Sequence, residues 1–213
     1  MAIVNSNYEF TYVDVGKNGR ISDGGVIEST IFYELLNQGK LHLPKNEDTV
    51  KKMNFVFLAD EAFSLNENIL KPYSQRELDY EKRIFNYRLS RARNCVENAF
   101  GLIAARFRVL QSAIHLAPEK ATYIVLAICI LHNFLRKRGG SYISSSTFDR
   151  EDNDHILQNG EWRDSNSQLH GLQPTRNASV SMRAKMNREQ YKDFFNNEGS
   201  VEWQDNILKL GRA

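Results

Sequence analysis

Apolar and polar positions along this chain group into recognisable elements. Residues 1–4 and 8–15 are rich in β-branched and aromatic side chains and flank Asn5-Ser6-Asn7, a turn-forming cluster, so they predict a β-hairpin. Met1 already stands inside the first apolar run, from which we expect further chain upstream. Residues 16–25 hold Gly16, Gly19, Gly24 and Gly25 together with Asn18 and Asp23 and read as a loop, and residues 26–39 then show helical spacing at Ile31, Leu35 and Leu36. The run Asn54-Phe55-Val56-Phe57-Leu58-Ala59-Asp60 has the length of a strand buried on both faces and ends on a carboxylate.

An irregular stretch with the turn Lys71-Pro72-Tyr73 leads to a long helix starting near Asp79. Its apolar stripe is Leu89, Ala92, Val96, Phe100, Ile103, Phe107 and Leu110, at steps of three and four. Pro118 suits the first turn of another helix, with Glu119 near its positive end. Residues 121–135 are apolar nearly all round, which predicts a helix inside the core. Arg136-Lys137-Arg138 followed by Gly139-Gly140 predicts its stop. Residues 141–178 are rich in Ser, Asn, Asp and Gln and read as a flexible polar linker. From 181 to 210, basic residues alternate with aromatics (Arg183, Lys185, Arg188, Tyr191, Phe194, Phe195, Trp203), as a short docking helix would.

Composition narrows the class. In 213 residues, 41% of them hydrophobic, there is enough apolar material for a real core. Charge is nearly balanced, 28 Lys and Arg against 26 Asp and Glu, so any nucleic-acid contact must come from local patches rather than a bulk field. Cys95 and Cys129 lie within apolar helical patterns, the setting of reduced, buried thiols. The longest apolar stretch, 123–131, falls short of the roughly 18 residues a membrane span needs. We therefore expect a soluble chain in a reducing compartment.

The informative candidates for chemistry are Asp60 and Glu97. A carboxylate at the end of a buried strand, beside a second one on a helix packed against the sheet, is a way to hold Mg²⁺ or Mn²⁺, hard cations that take oxygen ligands. Glu97 shares a face with Ser90, Arg93, Asn94, Gly101 and Ala104, small enough for a backbone or an ion to approach. The plain alternatives are a cap or solvated strand end for Asp60 and an ordinary surface glutamate for Glu97. Asp14 and Asp23 read as structural, Asp23 through bonds to its own backbone. His132 lies between Leu131 and Phe134 and reads as a hydrogen-bonded core residue rather than a base. His42, His115, His155 and His170 show no ligand spacing, and neither cysteine has a zinc-site partner. The glycines of 16–25 lack the Lys and Ser or Thr of a phosphate-binding loop. Lys82, Arg83, Arg88, Arg91, Arg93, Arg106 and Arg108 around the long helix are either a phosphate grip, with Arg88, Arg91 and Arg93 its candidate contacts, or a solvated face.

Several strings, taken in order, resemble the nuclease domain of Harbinger-type DDE transposases and their domesticated relatives. They are Tyr12-Val13-Asp14-Val15-Gly16 with Gly19-Arg20-Ile21-Ser22-Asp23-Gly24-Gly25, Leu58-Ala59-Asp60-Glu61-Ala62-Phe63, Lys71-Pro72-Tyr73, and Phe85-Asn86-Tyr87-Arg88-Leu89-Ser90-Arg91-Ala92-Arg93. Val96-Glu97-Asn98-Ala99-Phe100-Gly101 and Leu131-His132-Asn133-Phe134-Leu135 continue the series, and Phe194-Phe195-Asn196 with Glu202-Trp203-Gln204 is similar to the family's C-terminal segment. The resemblance implies an α/β chain: a partial RNase H-like mixed sheet flanked by helices over 1–138, a polar linker over 139–180 and the C-terminal segment over 181–213. It implies three carboxylates binding two divalent ions that activate water against a DNA phosphodiester. Asp60 stands as the second Asp and Glu97, with 36 residues between them, as the Glu. The family's first Asp lies on an earlier strand, in an Asp-Gly-Thr-His type motif not found among these residues, so the first strand is expected to be missing and hydrolysis impaired. Asn5 stands where relatives often carry Asp. Implied partners are DNA and a separate Myb-like DNA-binding protein, and the implied location is the nucleus, with the cytoplasm besides. The competing class is a catalytically inactive interaction module that keeps the fold.

Overall fold

A computed structural model describes residues 1–17, 23–139, 142–144, 146–164 and 180–209. The chain runs β1 (Ala2–Val4), β2 (Phe10–Val13), α1 (Asp23–Glu28), α2 (Ile31–Asn37), β3 (Phe57–Leu58), β4 (Ile69–Leu70), α3 (Tyr80–Arg106), α4 (Pro118–Arg138), β5 (Arg150–Glu151), β6 (Leu157–Gln158), α5 (Met182–Asn196) and α6 (Gln204–Lys209). Helix and strand are mixed, and among the described residues the strands pair as three two-stranded sheets. Two compact units are built from this order. One comprises Met1–Asn18 and Asn94–Gly171, the other Gly19–Arg93 and Leu172–Ala213, so α3 contributes its second half to the first and its first half to the second. No helix of the described residues is long and apolar enough to cross a membrane.

In the first unit, β1 and β2 form the expected antiparallel hairpin, with a register shift between Ile3 and Val4. Asn5 shapes its turn by accepting from the amides of Asn7 (2.9 Å) and Glu9 (3.0 Å), which settles the chain around Tyr8 at a φ of 62°. Phe10, Ala99, Ile103, Ile128 and Cys129 form the core. Helix α4 grips the hairpin with polar side chains as well. The Asn133 amide accepts from the Phe10 N–H at 2.9 Å and donates to its C=O at 2.8 Å, so it completes the ladder on that residue as a neighbouring strand would. His132 is fully buried and contacts the Tyr8 carbonyl through Nε2 at 2.7 Å and the Tyr142 hydroxyl through Nδ1 at 2.8 Å. A carbonyl only accepts, so Nε2 carries the proton and Tyr142 donates to Nδ1. Burial lowers the His132 pKa and raises that of Tyr142 to about 12, which fits a neutral ring with a phenol donor. Gly16 has a φ of +89°, and a Cβ there would lie 2.8 Å from the Thr122 hydroxyl.

Within the stretch read as a linker, residues 146–164 carry structure: β5 and β6 pair antiparallel, a short 3-10 turn follows at Glu161–Asp164, and Trp162 is buried. The remainder of that stretch, 165–179, lies outside the described residues, as do His170 and the side chain of Asp23. The polar content of 146–164 is what hid this order, because its anchors are hydrogen bonds rather than a hydrophobic period. Helix α4 departs from expectation in another way. It is not enclosed: Ile128, Cys129 and His132 are buried, but Tyr123, Ile130, Leu131 and Phe134 are exposed.

In the second unit, the helical segment expected over 26–39 is two helices, broken at Ser29-Thr30, where the Thr30 hydroxyl caps α2 by accepting from the Tyr33 N–H at 3.2 Å. The run 54–60 is not a long strand buried on both faces. Only Phe57–Leu58 pairs, in parallel with Ile69–Leu70, and Phe55 and Leu58 are each 38% exposed. A two-residue ladder leaves that side of the run facing water. The core joins Leu65, Leu70, Tyr73, Phe85, Leu89 and Ala184. Asn86 of α3 clamps Tyr73 as Asn133 clamps Phe10, accepting from its N–H at 2.8 Å and donating to its C=O at 2.9 Å. Helix α5 begins at Ser181, whose hydroxyl accepts from the Ala184 N–H. It docks through Asn187 to the Glu67 carbonyl (2.8 Å), Tyr191 to the Asn54 carbonyl (2.6 Å), and Glu189, which accepts from the Tyr73 hydroxyl at 2.7 Å.

Candidate active site

Asp60 and Glu97 fall in different compact units. Asp60 follows β3 directly: the Ala59 N–H donates to the Leu70 carbonyl at 2.8 Å, the last bond of the parallel pair. The chain then turns, with the Asp60 carbonyl accepting from the Phe63 N–H (3.1 Å) and Oδ1 from the Glu61 N–H (2.6 Å). Oδ2 lies 3.5 Å from Nη2 of Arg93, an ion pair in which the Asp60 side chain is 34% exposed. Beside this turn, the ammonium of Lys71 donates to the Glu61 carbonyl at 2.9 Å, and burial lowers its pKa.

The arginines singled out on α3 all have protein partners. Arg88 donates to the Gly199 carbonyl (3.1 Å) and to Gln204 Oε1 (3.0 Å) and stacks 4.8 Å from the centre of the Phe195 ring. Burial lowers its pKa. Arg91 lies over the Trp203 ring at 3.8 Å, and Arg93 faces Asp60. The basic and aromatic alternation that marks the C-terminal segment thus meets cations of α3 within the second unit.

Glu97 lies at the edge of a covered part of α3, with 45% of its side chain exposed. Gly101, one turn further along, is buried against Trp162, and a Cβ there would come within 2.1 Å of the indole ring. Between them Asn98 is 2% exposed, and its Oδ1 accepts from both the Trp162 indole N–H (2.7 Å) and the Asp149 backbone N–H (2.9 Å). The Asp149 side chain has no exposed surface. It receives two short bonds from Arg163, Nε to Oδ1 at 2.9 Å and Nη2 to Oδ2 at 2.6 Å, and a third from the Gly160 N–H at 2.8 Å. The same Nη2 reaches Glu97 Oε2 at 3.6 Å, and the bond to Asp149 raises the Arg163 pKa. The small-residue face around Glu97 is real, and the chain's own 146–164 segment fills it. Asp149, Trp162 and Arg163 were not singled out in the sequence, and Asn98 only as part of the string around Glu97. The one available signal is a lone tryptophan in a polar stretch, which usually anchors by burial.

Asp14 and His155 meet partners within the chain. Asp14 extends the hairpin, exchanging backbone bonds with Met1, and its carboxylate lies 3.7 Å from Lys17. His155 pairs with Glu151 at 3.4 Å. Among the described residues, no three His, Cys, Asp or Glu side chains come together in a way that could hold an ion. Mg²⁺ requires six ligands in near-octahedral array, whereas Asp60 and Glu97 each face a guanidinium. Among the described residues, Asp60 and Glu97 are not joined by further ligands that would complete a metal centre.

Comparison with known proteins gives a consistent picture. The profile of the family described as DDE superfamily endonuclease matches residues 1–133. The chain is similar to the Protein ALP1-like of Arabidopsis thaliana, 26% identical over 139 residues, which is 63% of this chain and 34% of that protein. It is also similar to the protein named "Putative nuclease HARBI1" in Homo sapiens, 33% identical over 91 residues (41% of this chain, 26% of that one), and in Rattus norvegicus, 28% over 136 residues (62% and 36%). The matched segments thus span about a third or less of these relatives' lengths. No solved structure matches.

Proposed function

From its match over residues 1–133 the chain belongs to the DDE superfamily endonuclease family, of the Harbinger type, and on that premise we propose that it is a nuclease-derived domain acting on DNA, with Asp60 and Glu97 as two of the family's metal-binding carboxylates. DDE superfamily endonucleases generally use divalent metals, here Mg²⁺ or Mn²⁺. The observation that carries the reading is the position of Asp60: a partly exposed carboxylate directly after a strand in a parallel pair, at a turn, with a cation 3.5 Å away. The Arg93 guanidinium beside Asp60 suits phosphate as well as carboxylate, which supports Arg93 as a phosphate contact. Arg88 and Arg91 are proposed with it on the family resemblance alone, since Gly199, Gln204 and the rings of Phe195 and Trp203 hold them. The wider arrangement we propose is that of an RNase H-like nuclease, with its location nuclear and a Myb-like DNA-binding protein as partner. Residues 1–213 alone are expected to cleave DNA poorly or not at all, because no third ligand joins either carboxylate among the described residues.

A second reading is a domesticated, catalytically inactive module that binds DNA or protein. It is favoured by the ion pairs themselves, since Arg93 on Asp60 and Arg163 on Glu97 offset the negative charge that would attract a cation. A plasmid-nicking assay in Mg²⁺ and in Mn²⁺, alongside fluorescence anisotropy with duplex DNA over a salt series, separates the two. Cleavage abolished by Asp60→Asn supports the first reading. Salt-dependent binding with neither cleavage nor any Mn²⁺ affinity that Asp60→Asn reduces supports the second, and a chain that neither binds nor cleaves DNA overturns DNA as the substrate.

A further inference from the structure

Two cations meet the turn that carries Asp60, and a third stands beside them, all within the second unit. Arg93 of α3 lies 3.5 Å from Asp60 Oδ2. Lys71, directly after β4, donates to the Glu61 carbonyl at 2.9 Å. Arg188 of α5 brings Nη1 to 3.5 Å from the carbonyl of Pro72, the residue next to Lys71, and lays its guanidinium carbon 3.9 Å from the centre of the Tyr73 ring. Burial lowers the Lys71 pKa and Glu61 raises it, while Arg188 lowers it and Asp60 raises it in smaller measure, so both of these stand within electrostatic reach of the ammonium.

Arg188 differs from the arginines of α3 in what its own chain gives it. Arg93 faces a carboxylate, and Arg88 donates to two oxygens at 3.1 and 3.0 Å. Among the described residues no carboxylate forms an ion pair with Arg188, and its neighbour Glu189 is engaged by the Tyr73 hydroxyl at 2.7 Å and by Lys192 at 3.0 Å. The bond to Pro72 is at the outer limit of length, and the enclosed Nε has no partner. Stacking on Tyr73 fixes the planar group without using its N–H edge, which presets arginine for an oxyanion. A cation held in place beside Lys71, half-buried and with donors the fold leaves unsatisfied, suits a ligand rich in acceptor oxygens and negative charge.

Resting on the reading of Asp60 as a carboxylate of a DNA-cleaving site, we propose that Arg188 and Lys71 contact backbone phosphates of the DNA beside it. Helix α5, which lies beyond the residues 1–133 matched by the family profile, then supplies part of the substrate surface. Binding of a labelled DNA duplex to the full chain, followed by fluorescence anisotropy over a salt series in EDTA, tests this without any contribution from metal. Each phosphate contact on a duplex contributes about 0.9 to the steepness with which log affinity falls against log salt. Arg188→Gln and Lys71→Gln are each expected to reduce the steepness by about that amount and to weaken binding roughly eightfold near 0.1 M salt. Arg188→Lys keeps the charge and is expected to keep the steepness, whereas an arginine needed only for packing on Tyr73 would lose affinity in both variants with the steepness unmoved. Arg183→Gln, exposed in the first turn of the same helix, is expected to change neither quantity. Far-UV circular dichroism checks each fold, and Lys71→Gln decides where Arg188→Gln does not fold. Wild-type binding whose salt dependence these substitutions leave unmoved overturns the phosphate contacts while DNA stands as the substrate, and so does an equal fall with Arg183→Gln, which makes the effect one of general charge. A wild-type chain that binds no DNA overturns both.

Discussion

Nη2 of Arg163 stands 3.6 Å from Oε2 of Glu97 while bonding Asp149 Oδ2 at 2.6 Å. The nearer partner sets the energetics. Asp149 is enclosed, so Arg163→Met leaves a buried carboxylate with the Gly160 amide as its remaining charge-stabilising donor. Breaking such a pair costs about 3–5 kcal/mol when both groups are buried, and roughly 2–4 kcal/mol here because Arg163 is partly exposed. Urea denaturation of Arg163→Met checks this, and Asp149→Asn with Arg163→Met is expected to recover most of the loss. A cost under about 0.5 kcal/mol would mean that the pair does not hold the 146–164 segment.

Gly101→Ala sets two effects against each other. Alanine is a better helix former by about 1 kcal/mol, but its methyl would enter the Trp162 ring, which cannot retreat without losing its bond to Asn98. Overpacking of this kind costs about 1–3 kcal/mol. The expected result is a net loss of stability with a red shift of Trp162 emission, measured in a Trp203→Phe background. A more stable protein with unchanged emission would contradict the close approach.

Asn133→Ala removes both bonds to the Phe10 backbone and is expected to destabilise the first unit by roughly 2–4 kcal/mol, since a buried amide and carbonyl are left unpaired. Asn86→Ala at Tyr73 should act similarly on the second unit. Hydrogen exchange localises each effect, with the Phe10 amide losing protection in one variant and the Tyr73 amide in the other.

Stability should fall on mild acidification because of His132. Burial, with a smaller contribution from Arg136, lowers its pKa in the folded protein, outweighing the Tyr8 carbonyl and Glu9. Above the unfolded value near 6.5 the ring is neutral in both states and its contribution is constant. Below it the unfolded chain takes up a proton that the folded chain resists, so stability drops by up to about 1.4 kcal/mol per pH unit until the lowered folded pKa is reached. Denaturation midpoints at pH 7.5 and 5.5 check the sign, with His132→Gln expected to flatten the difference.

The sequence was most legible where structure is local and periodic. The β1–β2 hairpin, the start of α3 at the Asp79 cap and the stop of α4 at Gly139 (φ 68°) follow from turn residues, a capping side chain and a helix-ending glycine. What was hidden depends on distant contacts. Asn98 and Trp162 meet across 64 positions, and Arg88 and Gln204 across 116, by hydrogen bonds that leave no period in a polar stretch. The run at 54–60 shows the limit from the other side: its apolar content suggested burial on both faces, but only two of its residues find a ladder partner. Asp60 and Glu97 stood out in the sequence through motif resemblance and Arg93 among the basic residues of the long helix, but the pairing of Arg93 with Asp60 and of Arg163 with Glu97 left no sequence signal.

The most direct test of the account is a Mn²⁺ titration, followed by electron paramagnetic resonance, of the intact chain and of its Asp60→Asn and Glu97→Gln variants. The expected outcome is weak Mn²⁺ binding that each substitution reduces at least about tenfold, in keeping with the loss of a carboxylate ligand. Identical affinity in all three proteins would contradict the assignment of these two carboxylates to a metal-dependent nuclease.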